Sequence, residues 1–183
     1  IITDYSDNTG NTYYAASIGG GIWKGVYDVS TMTMSWSNLT RDIENLDFVS
    51  LAQSKSNPLV LYAGTGEKSL SGDDNGSGIF KTIDGGSTWN NIAPILSDGK
   101  MDPRFANVYR IIVDPNDENT LLIATERKYW CDSYVYKSTD GGNSWSQVFF
   151  YYTNPCRNVT QIIAAPSDFN IQYVADKRSN VFR

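Results

Sequence analysis

Apolar residues in this chain come in short runs, and the runs come in pairs. Residues 49–65 read VSLAQSKSNPLVLYAGT, residues 111–125 read IIVDPNDENTLLIAT and residues 162–176 read IIAAPSDFNIQYVAD; the opening IITDYSDNTGNTYYAAS has the same layout. Each is a β-branched or apolar run, a polar turn often carrying Pro, Asn or Asp, and a second apolar run, which predicts a hairpin. A loop and a third run follow, ending in an aromatic and a cation: Trp23-Lys24, Phe80-Lys81, Tyr136-Lys137 and Phe182-Arg183. Strand alternation predicts the aromatic facing between neighbouring units and the cation facing outward or pairing locally. A turn and a fourth run complete the pattern at 36–39, 89–92 and 145–148.

The turn is the best-preserved part. KTIDGGSTW returns as KSTDGGNSW, with Asp84 and Asp140, and likewise Trp89 and Trp145, 56 residues apart. Self-similarity at a fixed period of this size signals a repeat architecture. The glycine pair suits positive φ, where a side chain would clash. The aspartate can accept hydrogen bonds from its own turn, and the tryptophan covers the turn with a large apolar face. The first unit departs from this: between Lys24 and Trp36 it reads GVYDVSTMTMS, longer, without the Gly pair, and with Asp28 as its one acid. A longer hairpin still closed by Trp36 is expected there. The units fall at about 1–40, 46–95, 107–150 and 159–183, the last incomplete.

Ser138, Asp140, Gly142 and Trp145 match in full, and Asp84, Gly86 and Trp89 with Thr82 in place of Ser, the S-x-D-x-G-x-x-W hairpin. This resembles the Asp-box of bacterial-neuraminidase-type repeats. The resemblance implies an all-β fold, with β-propeller blades of four antiparallel strands and the box between the third and fourth. It also implies that Asp84 and Asp140 are structural. Propellers close with about 4–8 blades, so the chain is expected to be a fragment of a larger propeller, closure on its own being the alternative. GGGIWKG, SNPLVLYAGTGE and GSGIFKTIDGGSTW together look like secreted bacterial proteins with sortilin-type or xyloglucanase-like, glycosyl-hydrolase-type repeats. That scaffold hosts hydrolases, receptors, assembly factors and adhesins, so function has to be argued from sites.

Composition narrows the chemistry. The 183 residues carry a net charge of -5 with no basic run, which argues against a nucleic-acid partner. No apolar run approaches ~18 residues, so no membrane insertion is expected. The chain has two cysteines and no histidine, which argues against a His/Cys metal site. Cys131 and Cys156 both fall in loops, where a disulfide would suit an oxidising compartment; two unpaired thiols are the alternative. Asn38-Leu39-Thr40, Asn75-Gly76-Ser77 and Asn158-Val159-Thr160 are glycosylation-type triplets.

The long insertions 67–77 and 93–107 fall at unit ends, where function is grafted onto such scaffolds. Glu67, Tyr129 and Trp130 form a candidate ligand loop, with Glu67 bonding to loop backbone and the aromatics packing as the plain alternatives. Tyr151 and Tyr152 share that ambiguity. Asp73, Asp74 and Asn75 are either a solvated acidic loop or a calcium site; no other cofactor is expected. Xyloglucan-active members of the family place a catalytic acid just before a Gly-Gly-aromatic-Arg stretch; Gly20-Gly21-Ile22-Trp23-Lys24 matches it, and the acid's place falls on Ile18. Isoleucine cannot be a general acid or base. Arg104, Arg110, Arg127 and Arg157 show no sialidase-type arginine motif. The expectation is a non-catalytic module, secreted or at the cell surface, that binds an extracellular glycan or protein or joins other copies through open blade edges. The alternative is a glycoside hydrolase whose active site is completed by blades absent from this chain.

Overall fold

The computed structural model describes residues 1–44, 46–66, 76–127, 132–152, 159–177 and 180–183. Among the described residues the chain forms four antiparallel sheets, each a simple meander. The first holds β1 (Ile2–Thr3), β2 (Thr12–Ser17), β3 (Gly21–Asp28) and β4 (Thr33–Asn38). The second holds β5 (Phe48–Gln53), β6 (Leu61–Thr65), β7 (Ile79–Thr82) and β8 (Asn90–Asn91). The third holds β9 (Asn107–Asp114), β10 (Asp117–Arg127), β11 (Asp132–Ser138) and β12 (Ser146–Tyr152). The fourth holds β13 (Val159–Ala165), β14 (Asp168–Asp176) and β15 (Val181–Phe182). The outermost strands start later than the tryptophans suggest: Trp89 and Trp145 stand just before β8 and β12, because the turn needs them as its lid. No helix among the described residues is long and apolar enough to cross a membrane.

Period-two alternation holds the sheets together, since neighbouring residues of one strand serve opposite interfaces. Ala63 and Phe80 pack with Ile22 and Phe48 between the first and second sheets. Tyr62 and Ile79, their neighbours in sequence, pack with Val108, Leu121, Ile123 and Tyr136 between the second and third. Leu122, Ala124 and Val135 then pack with Ile162, Phe169 and Val174 between the third and fourth. Tyr62, Leu121 and Ile123 are fully buried; burial of that kind contributes about 1.5–3 kcal/mol per large side chain. The repeated aromatic does face a neighbour: Phe80, Tyr136 and Phe182 lie at three successive interfaces.

The repeated turns act as spacers between sheets. Gly85 and Gly141 both have φ +71°, and Gly86 and Gly142 have φ +95° and +93°. A Cβ on Gly86 would lie 2.6 Å from Cδ1 of Leu39 in the preceding sheet, and one on Gly142 would overlap Cδ1 of Ile92, the residue equivalent to Leu39. Lys81 reaches forward the other way, donating to the Gly141 carbonyl at 3.0 Å while its ammonium stands over the Tyr62 ring. The first hairpin keeps neither feature. Its turn at 29–32 carries Met32 at φ 55°, and Trp36 pairs with Gly25 and lies flat over it, 44% exposed. The expected closure by Trp36 is therefore a ring against the sheet face and not a lid on the turn.

Candidate functional site

A meander of this kind has two ends. The first-to-second and third-to-fourth strand turns share one, and the second-to-third and sheet-to-sheet connections share the other. At the turn end, the Asp84 carboxylate accepts from Thr88 N at 2.9 Å, Thr88 Oγ1 at 2.7 Å and Thr82 Oγ1 at 2.7 Å. Asp140 accepts from Ser144 N at 2.9 Å, Ser144 Oγ at 2.5 Å and Ser138 Oγ at 2.8 Å. Thr82 and Ser138 also take the N–H of Gly86 and Gly142, at 3.0 and 2.9 Å. The Thr88 and Thr82 hydroxyls hold the Asp84 carboxyl at about 2, and the Ser144 hydroxyl and N–H with Ser138 do the same for Asp140. A carboxylate that acid is ionised throughout neutral pH and has its oxygens engaged, so it is poorly suited to general acid or base work.

A second carboxylate cluster on this side went unforeseen. Asp4, 3% exposed, accepts from Gln53 Nε2 at 2.9 Å and Ser6 Oγ at 2.7 Å, and stands 3.1 Å from Lys24 Nζ, which also bonds Tyr14 Oη. Burial alone would raise the Asp4 carboxyl; the Gln53 amide, the Ser6 hydroxyl and N–H, and Lys24 outweigh it and hold it at about 2. Asp4 stands in an ordinary polar turn of the sequence, so nothing local marks it. Its partner Gln53 is 49 residues away.

The connection end is where the sequence placed its ligand candidates. Glu67, Tyr129, Trp130, Asp73, Asp74, Asn75, Cys131 and Cys156 all lie outside the described residues. Among those described, Ile18 is half exposed at the tip of the first sheet, and next to it Gly19 donates to the Asp47 carboxylate at 2.8 Å. Glu44, Asp47 and Ser77 edge a shallow depression with Gly19 and Leu46. Between the third and fourth sheets a cavity of about 190 Å³ is lined by Tyr109, Arg110, Glu126, Thr160 and Lys177. Arg110 is tied down by Gln161 at 2.7 Å. Burial, with help from Glu126, pushes the Tyr109 phenol up to about 12. A nucleophilic tyrosine needs the opposite shift, so this cluster offers hydrogen bonds and not attack. No group of three or more His, Cys, Asp or Glu that could hold a metal ion occurs among the described residues.

Along the first strands of the four sheets, Ile2, Leu51, Ile111, Val113 and Ile163, with Phe169 of β14, line a groove of about 440 Å³ that Gln53 and Lys55 also edge.

No protein-family model matches the chain. Over 160 residues it is 27% identical to a xyloglucanase of Paenibacillus sp, covering 86% of this chain and 14% of that protein. Over 99 residues it is 28% identical to xyloglucanase Xgh74A of Acetivibrio thermocellus, covering 54% of this chain and 12% of that one. In structure it resembles the GH74 enzyme of Niastella koreensis, with a TM-score of 0.62 and 21% identity over 96% of this chain and 26% of that one. An ancestral GH74 enzyme gives 0.54 and 19% identity, over 93% of this chain and 25% of that one. The sheets are β-propeller blades. The chain spans about a seventh of the length of the curated relatives it matches. Those relatives are glycoside hydrolases; they favour the hydrolase alternative, and the expectation of a non-catalytic module finds no support among them.

Proposed function

We propose that this chain is a run of blades from a secreted glycoside hydrolase acting on xyloglucan or a similar β-glucan, with its hydrolytic carboxylates carried by blades other than these. The observation that carries the reading is the similarity to a xyloglucanase over 160 residues, 86% of the chain. The described residues contribute scaffold and a glycan-facing connection end, where Ile18 occupies the place in which xyloglucan-active relatives carry an acid. The turns at Asp84 and Asp140 are then Asp-box hairpins, and their hydrogen-bonded carboxylates support a structural role.

The Ile18 substitution favours a second reading, a binding or surface-assembly module for an extracellular glycan or protein. One assay separates the two. The intact source polypeptide is incubated with xyloglucan and new reducing ends are measured. The hydrolase reading expects chain cleavage; a folded polypeptide that retains xyloglucan on an affinity gel yet releases no reducing ends would overturn it in favour of the binding module.

A further inference from the structure

The rim of the first blade is built differently from the rims of the second and third. In each of these sheets the fourth strand lies outermost, and one of its edges has no strand beside it. Blades pack face to face, so that edge stays open even in the middle of the row: Asn90 and Asn91 of β8 are exposed although the second sheet is packed on both faces. An open edge offers unpaired N–H and C=O groups to any other strand, and folded proteins blunt it by shortness, a bulge, a charge or a proline. β8 is two residues long, and β12 carries a register shift against β11. β4 has none of these devices. It runs six residues in unbroken register with β3, all but the last exposed, and no charged residue or proline lies between Asp28 and Arg41.

The ladder fixes which backbone groups point outward. In a strand of an antiparallel sheet, successive residues turn their N–H and C=O groups to opposite sides. Leu39 N–H donates to the Ile22 carbonyl at 2.8 Å, and Tyr27 N–H donates the other way, to the Asn11 carbonyl at 2.8 Å. The even-numbered residues of β3 therefore bond to β4, and the odd-numbered ones to β2. Lys24, Val26 and Asp28 stand opposite Ser37, Ser35 and Thr33, which turn their backbone groups inward. Met34 and Trp36, opposite Tyr27 and Gly25, turn theirs outward, and among the described residues no group meets them. Their side chains are 39% and 44% exposed. The Trp36 ring leans inward over Gly25, which leaves the backbone at the edge approachable.

We propose that β4 pairs antiparallel with β4 of a second copy of the chain, joining the two four-stranded first sheets into one continuous sheet. The strand is complementary to itself. A twofold axis through Ser35 sets Met34 opposite Trp36 of the second copy and Trp36 opposite its Met34. Each pair exchanges two backbone hydrogen bonds, about four in all. The same register brings each Met34 thioether beside an indole, a favourable contact. On the other face it sets Thr33 opposite Ser37 and leaves two small serines at the axis. No charge enters the seam, which matters between chains that each carry a net charge of -5. One strand pair buries less than a standard interface, so the dimer is weak and concentration-dependent. The inference goes beyond the hydrolase reading and does not depend on it.

The test is sedimentation velocity of the intact source polypeptide over a concentration series reaching about 200 μM, in the range of weak association. The sedimentation coefficient should rise with concentration toward that of a dimer. Ser35→Lys sets two ammonium groups face to face at the axis and should raise the dimer Kd about tenfold, and Ser35→Glu should do the same with two carboxylates. An equimolar mixture of the two variants should associate again. Ser97→Lys, the same charge on the exposed 93–107 connector, should leave the dimer unchanged. Ser35 is exposed, so these substitutions leave the core alone, and an unchanged thermal midpoint in dilute solution verifies it. A polypeptide that stays monomeric throughout overturns the proposal. So does a dimer that Ser35→Lys leaves intact, one that Ser97→Lys weakens equally, or a Lys/Glu mixture that fails to associate. Xyloglucan cleavage, present or absent, bears on the hydrolase reading alone.

Discussion

Replacing Gly142 with alanine should be among the most damaging single-methyl changes in this chain. Two costs combine. The backbone there has φ +93°, where an L side chain is strained by about 1–2 kcal/mol. The new Cβ would also overlap Ile92 Cδ1 in the preceding blade and come within 3.4 Å of Trp145 Cζ2; overpacking of that kind costs about 1–3 kcal/mol. The expected loss is about 2–5 kcal/mol. Gly10 isolates the first cost, since its φ is +72° and nothing lies within 4 Å of a Cβ built on it. Gly10→Ala should therefore lose only about 1–2 kcal/mol. Ile92→Val combined with Gly142→Ala should recover part of the difference, because it removes the overlapping Cδ1. The assay is urea unfolding followed by tryptophan fluorescence, with the slope against denaturant compared among variants to verify that only stability has changed. Equal losses for Gly142→Ala and Gly10→Ala would refute the view that the turn is a tight spacer between blades.

Acid should weaken the fold between about pH 4 and pH 2. Asp4, Asp84 and Asp140 are held at about 2 in the folded chain, below the 3.8 of a free aspartate. Their contribution is complete above the unfolded value and is lost as pH falls through the folded one; Asp4→Asn should flatten that part of the urea-midpoint profile, and an unchanged profile would refute the assignment. Lys81→Met should cost about 1–3 kcal/mol, since it leaves the Gly141 carbonyl without its donor across the second interface; thermal melting reads this out. Ser50 donates to the Val108 carbonyl of the next blade at 2.6 Å, so Ser50→Ala should cost about 1–2 kcal/mol by the same measurement, whereas exposed Ser35→Ala should be silent.

By itself the sequence determined what depends on neighbours along the chain. Alternation fixes which residues share a face, and the Gly pairs at 85–86 and 141–142 mark backbone that turns with positive φ. The 56-residue period joins these into blades, and all of this is set by strand geometry and local sterics. The tertiary structure decided what depends on residues far apart. Asp4 was unreadable because Gln53 lies 49 positions away, and Lys81 because its acceptor lies 60 away. Trp36 breaks the role of the other tryptophans because its register sets it opposite Gly25, whose bare backbone lets the ring lie down. Hydrogen-bond satisfaction is a property of the whole neighbourhood, which the chain composes only when its blades come together.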